Sequence, residues 1–212
     1  MKVLIYSDVH GNLPAFEKML ETENSCNRYI CLGDLVNYGP WSNECVDLAL
    51  SLPNSILLMG NHEEAFIKGK CLESNKLVKS FFEKTYSSFI KNNQISTFIK
   101  ESQLAHFVCT HTINNKYLYP DTDIILNNNY IIGHSHHQFK YLYNDFVLYN
   151  SGSVGQNRKF VNEINYLIYN TETESMLMKS ILYDIEPLIN QMKKENYSKY
   201  CIDYYVEKER KN

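Results

Sequence analysis

Short apolar runs separated by polar loops set the layout of this chain. Val3–Tyr6, Tyr29–Leu32, Ile56–Met59, Phe107–Cys109 and Ile131–Ile132 are rich in Ile, Val, Leu and Tyr, and each has the length of a buried strand. The first three alternate with helical stretches. Strand 2–7 leads into a helix near 13–24, with Asn12 as N-cap and Pro14 in the first turn. Strand 28–32 leads into a helix near 42–52, and strand 55–59 into a helical stretch after Gly60–Glu63. This βαβα start predicts a layered α/β fold. Between 64 and 102, Leu77, Val78, Phe81, Phe82, Phe89 and Ile90 recur at helical spacing behind Ser74 or Asn75 as a cap. They predict a helical pair covering the sheet, or a cap that also shapes a pocket. Strands resume at 105–110, 129–133, 139–143, 146–150, 164–170 and 175–182. The close spacing of the later ones, with turns at Asn144-Asp145 and Thr171–Thr173, predicts antiparallel hairpins of a second sheet. An amphipathic helix follows at 185–195, and the tail 198–212 reads as helical and partly exposed. No repeat or linker interrupts 1–212, so a single domain is expected.

The polar positions carry the chemistry. Asp8-Val9-His10, Gly33-Asp34, Gly60-Asn61-His62-Glu63, Thr110-His111 and Gly133-His134-Ser135-His136 mostly follow the apolar runs directly. They should therefore sit on loops at strand ends, where open α/β sheets place their active sites. Carboxylate, amide and imidazole groups gathered at one sheet edge suit two divalent metals, and two metals point to phosphoryl chemistry. In a tight loop Asp8 and His10 can reach one ion, as can His134 and His136. Asp34, with two oxygens, can bridge two cations. Asn61 offers a neutral carbonyl oxygen, and His111 a further imidazole. Glu63 reads as structural, or as a partner that orients a ligand. His106 and His137 fit no part of the set.

Composition changes this picture little. The chain has 212 residues, 44% hydrophobic and 21% charged, and a formal charge of −3, so no nucleic-acid footprint is expected. The six cysteines form no CxxC pair, which disfavours a zinc ribbon or a redox motif and fits a reduced, cytoplasmic setting. No apolar run has the length of a membrane helix, and the N-terminal stretch is too short for a signal-peptide core.

The five motifs, in this order, resemble the calcineurin-like metallophosphoesterase superfamily in its small single-domain prokaryotic phosphodiesterase branch. Asn150–Arg158 resembles the segment that follows the motifs there. The resemblance covers about residues 1 to 185. It implies a four-layer α/β/β/α sandwich of two mixed sheets with flanking helices, with the metals at one end of the sheets. It implies that Asp8, His10 and His136 hold one metal, that Asn61, His111 and His134 hold the other, that Asp34 bridges them, and that His62 is catalytic. Ligand chemistry allows Mn²⁺, expected first, or Fe, Ni, Zn or Co. Two metals would share and acidify a water that attacks phosphorus in line, with His62 as general acid supported by Glu63 or a backbone carbonyl.

Two departures stand out. Thr112 follows the strand-ending His where the family has Gly. Asn37 and Tyr38 replace the Asp-Arg of the protein-phosphatase and dinucleoside-tetraphosphatase relatives. Tyr38 and Arg158 are the expected substrate contacts, and a small phosphoester is the expected substrate. The reading is a phosphodiesterase. The alternatives are a phosphomonoesterase acting on a phosphoprotein or a dinucleoside polyphosphate, and a metal-binding scaffold for protein contacts. Oligomeric state is not legible.

Overall fold

A computed structural model describes residues 1–71 and 74–212; residues 72 and 73, inside the expected cap, lie outside the described residues. The chain runs β1 (Lys2–Tyr6), α1 (Leu13–Thr22), β2 (Arg28–Cys31), α2 (Ser42–Ser51), β3 (Ser55–Leu57), α3 (Asn61–Lys68), α4 (Lys76–Tyr86) and α5 (Asn92–Ile95). It continues with β4 (Glu101–Leu104), β5 (Phe107–Thr110), β6 (Asn129–Ile132), β7 (Gln138–Tyr143), β8 (Phe146–Ser151), β9 (Glu163–Asn170), β10 (Ser175–Leu182), α6 (Glu186–Lys194) and α7 (Lys199–Val206). The Asn12 side chain caps α1 by accepting from Ala15 N at 3.3 Å, and Asn75 rather than Ser74 caps α4, accepting from Leu77 N at 2.8 Å.

Two five-stranded mixed sheets form, in the orders β10-β9-β1-β2-β3 and β4-β5-β6-β8-β7. The core between them is built from Val3, Ile5, Ile30, Leu32 and Leu58 on one side and Leu104, Phe107, Cys109 and Ile131 on the other. These are the alternate residues of strands whose opposite faces supply the remaining layers. Leu4, Tyr6 and Cys31 turn outward against the helices, in a cluster with Phe16, Val46, Phe66, Phe81 and Leu188. The outer face of the second sheet, with Ile132, Phe139 and Leu148, is covered by Leu118, Leu126, Ile113 and Ile124 from the segment between β5 and β6.

Two sequence expectations are corrected. The run 105–110 is the second arm of a hairpin whose first arm, β4, starts within the 64–102 segment expected to be helical. Its residues Glu101–Leu104 pair antiparallel with Phe107–Thr110 along the sheet edge, where polar side chains are tolerated and period-2 alternation is weak. The late hairpin 164–182 does not extend the second sheet. β9 pairs antiparallel with β1, Val3 opposite Tyr169 and Ile5 opposite Leu167, and completes the first sheet. Hairpin signals are local, so they do not say which open edge a hairpin joins.

The pairs β1–β2, β2–β3, β5–β6 and β6–β8 are all parallel. Every loop carrying a polar motif leaves the carboxyl end of one of these strands, so the motifs are delivered to one edge of the sandwich.

Candidate metal centre

The backbone at this edge is unusual. Asp8, His10, Asp34, His134 and His136 all have φ between 52° and 69°. Left-handed conformations at non-glycine residues cost on the order of 1 kcal/mol each and persist only where the surroundings enforce them. Here parallel pairing continues past the strands: Asp8 N donates to Gly33 O at 3.0 Å, His10 N to Asp34 O at 3.0 Å and Gly11 N to Leu35 O at 2.8 Å. Two glycines let the loops close up. A Cβ on Gly60 would run into Asp34 Oδ1, and one on Gly133 into Ser7 Oγ.

The imidazoles are aimed by their far nitrogens. His10 Nδ1 lies 3.1 Å from Val36 O, His111 Nδ1 2.9 Å from Leu32 O, and His136 Nδ1 2.9 Å from Gln156 O. A carbonyl only accepts, so each Nδ1 carries a proton and each ring turns its Nε2 inward, bare wherever the ring is neutral. His136 Nε2 then lies 3.1 Å from both His10 Nε2 and Asp8 Oδ1. Asp8 Oδ1 is buried and accepts no hydrogen bond. Three lone pairs facing one another at this range repel unless a cation lies among them, so this donor set fits a metal. A second set faces it. His111 Nε2 lies 3.0 Å from Asn61 Oδ1, 3.1 Å from His134 Nδ1 and 3.2 Å from Asp34 Oδ2. The metal-capable groups are thus Asp8, His10 and His136; Asp34, His111 and His134; and His10, Asp34 and His62, with His10 and Asp34 shared.

Charge follows the geometry. Against burial, which pushes it up, the His136 and His10 imidazoles hold Asp8 well below the usual carboxylate range. The neighbouring His111 and His62 do the same for Asp34. Burial pushes His134 down to about 4 and His136 to about 3. Ionised carboxylates beside neutral imidazoles are the protonation states that metal ligation needs. His111 departs from this: against burial, Asp34 draws its pKa up to about 9.

Glu63 ties the centre together. Its carboxylate accepts from Asp34 N at 2.8 Å, Leu35 N at 2.7 Å, Val36 N at 3.3 Å and Gly60 N at 2.9 Å. Burial, and then the Asp34 charge, push its pKa up to about 7, while these N–H groups pull it back. The Glu63 side chain thus joins the loop after β2 to the start of α3. Glu63→Ala leaves four buried donors without a partner, at about 1–3 kcal/mol for each that water does not reach. Urea denaturation should show a loss of about 3 kcal/mol or more, and a variant within 0.5 kcal/mol of the parent, about the noise of a neutral surface change, would contradict this role.

His62, at the first turn of α3, is buried, with its backbone N–H donating to Asp34 Oδ1 at 2.9 Å. The expected partner for its ring, Glu63 or a carbonyl, is not what the structure has, because Glu63 is occupied by backbone donors. Instead Asn37 Nδ2 lies 2.9 Å from His62 Nδ1. The amide orientation is fixed, because Asn37 Oδ1 accepts from Tyr38 N at 2.8 Å and from Thr85 Oγ1 at 3.0 Å. Asn37 Nδ2 therefore donates, and the His62 proton sits on Nε2. Burial lowers the His62 pKa to about 4 despite the nearby Asp34.

Tyr38 is buried, its ring centroid 4.7 Å from that of His10 and 5.3 Å from that of His62. Arg158 stands at the mouth, with Nη1 3.2 Å from Tyr204 OH. On the His111 side a cleft of about 440 Å³ is lined by Asn61, Lys100, Thr112, Tyr117 and His134, among others. Tyr117 stacks on His134 at 3.9 Å. His106 lies away from the centre against Phe107.

The structure thus gathers Asp8, His10, Asp34, Asn61, His62, His111, His134, His136 and Tyr38 at one sheet edge, with Arg158 at its rim. Sequence reasoning did not place Tyr204 and Lys208 beside Arg158, where the structure has them. Their i, i+4 spacing was a usable signal, but it does not say which way that face turns.

Residues 1–169 match the calcineurin-like phosphoesterase family. The uncharacterized protein MJ0912 of Methanocaldococcus jannaschii is 28% identical over 216 residues, spanning 87% of this chain and 88% of that protein. Phosphodiesterase YfcE of Escherichia coli K12 is 43% identical over 42 residues, 19% of this chain and 23% of YfcE. The crystal structure of a metallophosphoesterase from Sphaerobacter thermophilus superposes with a TM-score of 0.78 at 22% identity, covering 97% of this chain and 99% of that one. Together with the clustered His and Asp groups that can hold metal, the family match assigns the chain: it is a phosphoester hydrolase belonging to the calcineurin-like phosphoesterase family.

Proposed function

We propose that the centre holds two divalent metals and hydrolyses phosphodiesters. The observation that carries the reading is Asp34, whose Oδ2 lies 3.2 Å from His111 Nε2 on one side and 4.0 Å from His10 Nε2 on the other. A carboxylate between two imidazole sets suits a bridge between two cations. In this reading Asp8, His10 and His136 hold one ion and Asn61, His111 and His134 the other. The mixed N/O donors suit Mn²⁺, with Fe, Ni, Zn and Co as competitors. The cations, when bound, supply an activated water and offset the charge that builds on the phosphoryl oxygens.

The chain's own residues do the rest. His62 presents its Nε2 proton to the leaving oxygen while Asn37 holds the ring through Nδ1. Tyr38 closes the side of the centre next to His10 and His62. Arg158 offers a charged donor at the rim. Asn37 and Tyr38, standing where protein-phosphatase relatives carry Asp-Arg, favour a diester over a phosphoprotein, and the short match to YfcE supports the same side. Among the described residues no helix is long and apolar enough to cross a membrane. Six cysteines without a disulfide suit action in the cytoplasm.

The test is hydrolysis of bis-p-nitrophenyl phosphate against p-nitrophenyl phosphate, after chelation and after reloading with Mn²⁺. Chelated protein should be inactive, and reloaded protein should carry two metals per chain and prefer the diester. A preference for the monoester would move the assignment to a phosphomonoesterase. Silence on both substrates with two metals bound would favour the scaffold.

A further inference from the structure

The C-terminal helix α7 and the turn after it bring a second set of polar groups, Tyr204 and Lys208, beside Arg158. Lys208 Nζ lies 2.9 Å from Tyr204 OH and 4.3 Å from the centre of the Tyr204 ring. Arg158 Nη1 lies 3.2 Å from the same hydroxyl. The Tyr204 ring is tied to the centre through packed aromatics: it meets Phe81 at 5.9 Å, Phe81 meets Tyr38 at 4.8 Å, and Tyr38 meets His10 at 4.7 Å. Arg158 is near enough to the Asp8 carboxylate to interact with its charge.

Two features of this cluster point to a ligand. Among the described residues neither cation has a carboxylate within 4.0 Å; the lysine and arginine ion pairs are made by Lys68, Lys91, Lys100, Lys179, Lys199, Arg210 and Lys211. Two positive side chains sharing one neutral oxygen repel, and an anion is the natural complement. Moreover, guanidinium and ammonium only donate, so both acceptor positions of the Tyr204 oxygen are taken and its own proton is left for an incoming acceptor. Burial, and then Arg158, bring the Lys208 pKa down to about 8, as expected of a cation held beside another without a counter-ion. Tyr204 and Lys208 lie beyond the family match over residues 1–169, whereas Arg158 lies within it.

We propose that Arg158, Lys208 and the Tyr204 hydroxyl form an anion subsite for a phosphoryl group of the substrate other than the one hydrolysed, so that preferred substrates carry a second phosphate. The inference rests on the phosphoesterase reading of the neighbouring centre. Three converging donors, two of them charged, match the oxygens of a phosphoryl group better than those of a neutral sugar or base.

The experiment is calorimetric titration of the metal-loaded full chain, and of its Lys208→Met and Tyr204→Phe variants, with inorganic phosphate, pyrophosphate and tripolyphosphate. Phosphoester hydrolysis is measured on the same samples. Tyr204→Phe keeps the ring against Phe81 and removes only the shared oxygen. The expected result is that pyrophosphate or tripolyphosphate binds about tenfold more weakly to both variants, roughly one charge-assisted hydrogen bond, while inorganic phosphate changes by less than about twofold, below 0.5 kcal/mol on the same scale. Equal losses for inorganic phosphate would mean that the cluster takes free phosphate, and would overturn the claim of a second substrate phosphate. Unchanged binding of all three anions would overturn the subsite itself. A chain that binds the polyphosphates through Lys208 yet hydrolyses no phosphodiester would leave the anion site standing and remove the phosphodiesterase reading on which its substrate role rests.

Discussion

Asp34→Asn is expected to lose one or both metals and to lower turnover by about 10³-fold or more, a barrier increase of about 4 kcal/mol. The substitution is nearly isosteric. It keeps an oxygen for the His62 backbone N–H, 2.9 Å away, so the start of α3 should hold its place. What it removes is the charge on Oδ2, which faces His111 Nε2 at 3.2 Å and His10 Nε2 at 4.0 Å. Metal content per chain by elemental analysis, read beside the circular-dichroism melting curve, separates loss of the centre from loss of the fold. Two metals at full occupancy with normal turnover would remove Asp34 from the bridge.

His62→Ala is expected to behave differently, keeping both metals while losing about 10²–10⁴-fold in turnover, the usual range for a positioned proton donor. The size of the loss should depend on the leaving group. Asn37 donates to Nδ1, so the ring is neutral and its Nε2–H is the one proton it offers. A neutral imidazole is a weak acid. It helps most where the leaving oxygen is basic, and least for p-nitrophenolate, which departs without a proton. Diesters of phenol should therefore suffer more from His62→Ala than those of p-nitrophenol. Equal losses on the two would mean that His62 acts on the phosphoryl oxygens rather than on the leaving group.

Asn37 also shows how one position alters a shared centre. A carboxylate there would accept from Nδ1–H and stabilise an imidazolium. The amide, held by Thr85 of α4 and by the Tyr38 backbone, sets the opposite tautomer. Helix α4 therefore does more than cover the sheet: Thr85 orients Asn37, and Phe81 supports both Tyr38 and Tyr204.

The sequence by itself determined the strand-end motifs, because apolar runs bounded by Asp, Asn, His and Gly are local signals and parallel strands deliver their loops to one edge. It also determined the βαβα start and the cap at Asn12, and narrowed the cap of α4 to Ser74 or Asn75, since periodicity and capping are read within a few residues. Tertiary structure decided what depends on distant partners. The edge strand β4 exists because β5 offers an open ladder. The hairpin β9–β10 joins β1 because both sides of that pairing bury against a core, which no local turn signal encodes. Glu63 became a clamp because three successive N–H groups of the loop after β2, turned inward by the left-handed Asp34, converge on it. Tyr204 and Lys208 meet Arg158 only because α7 folds back across the mouth of the centre. Such meetings are set by the packing of whole elements, through the buried Cys201 and Tyr205 of α7, and not by the spacing of the residues that meet.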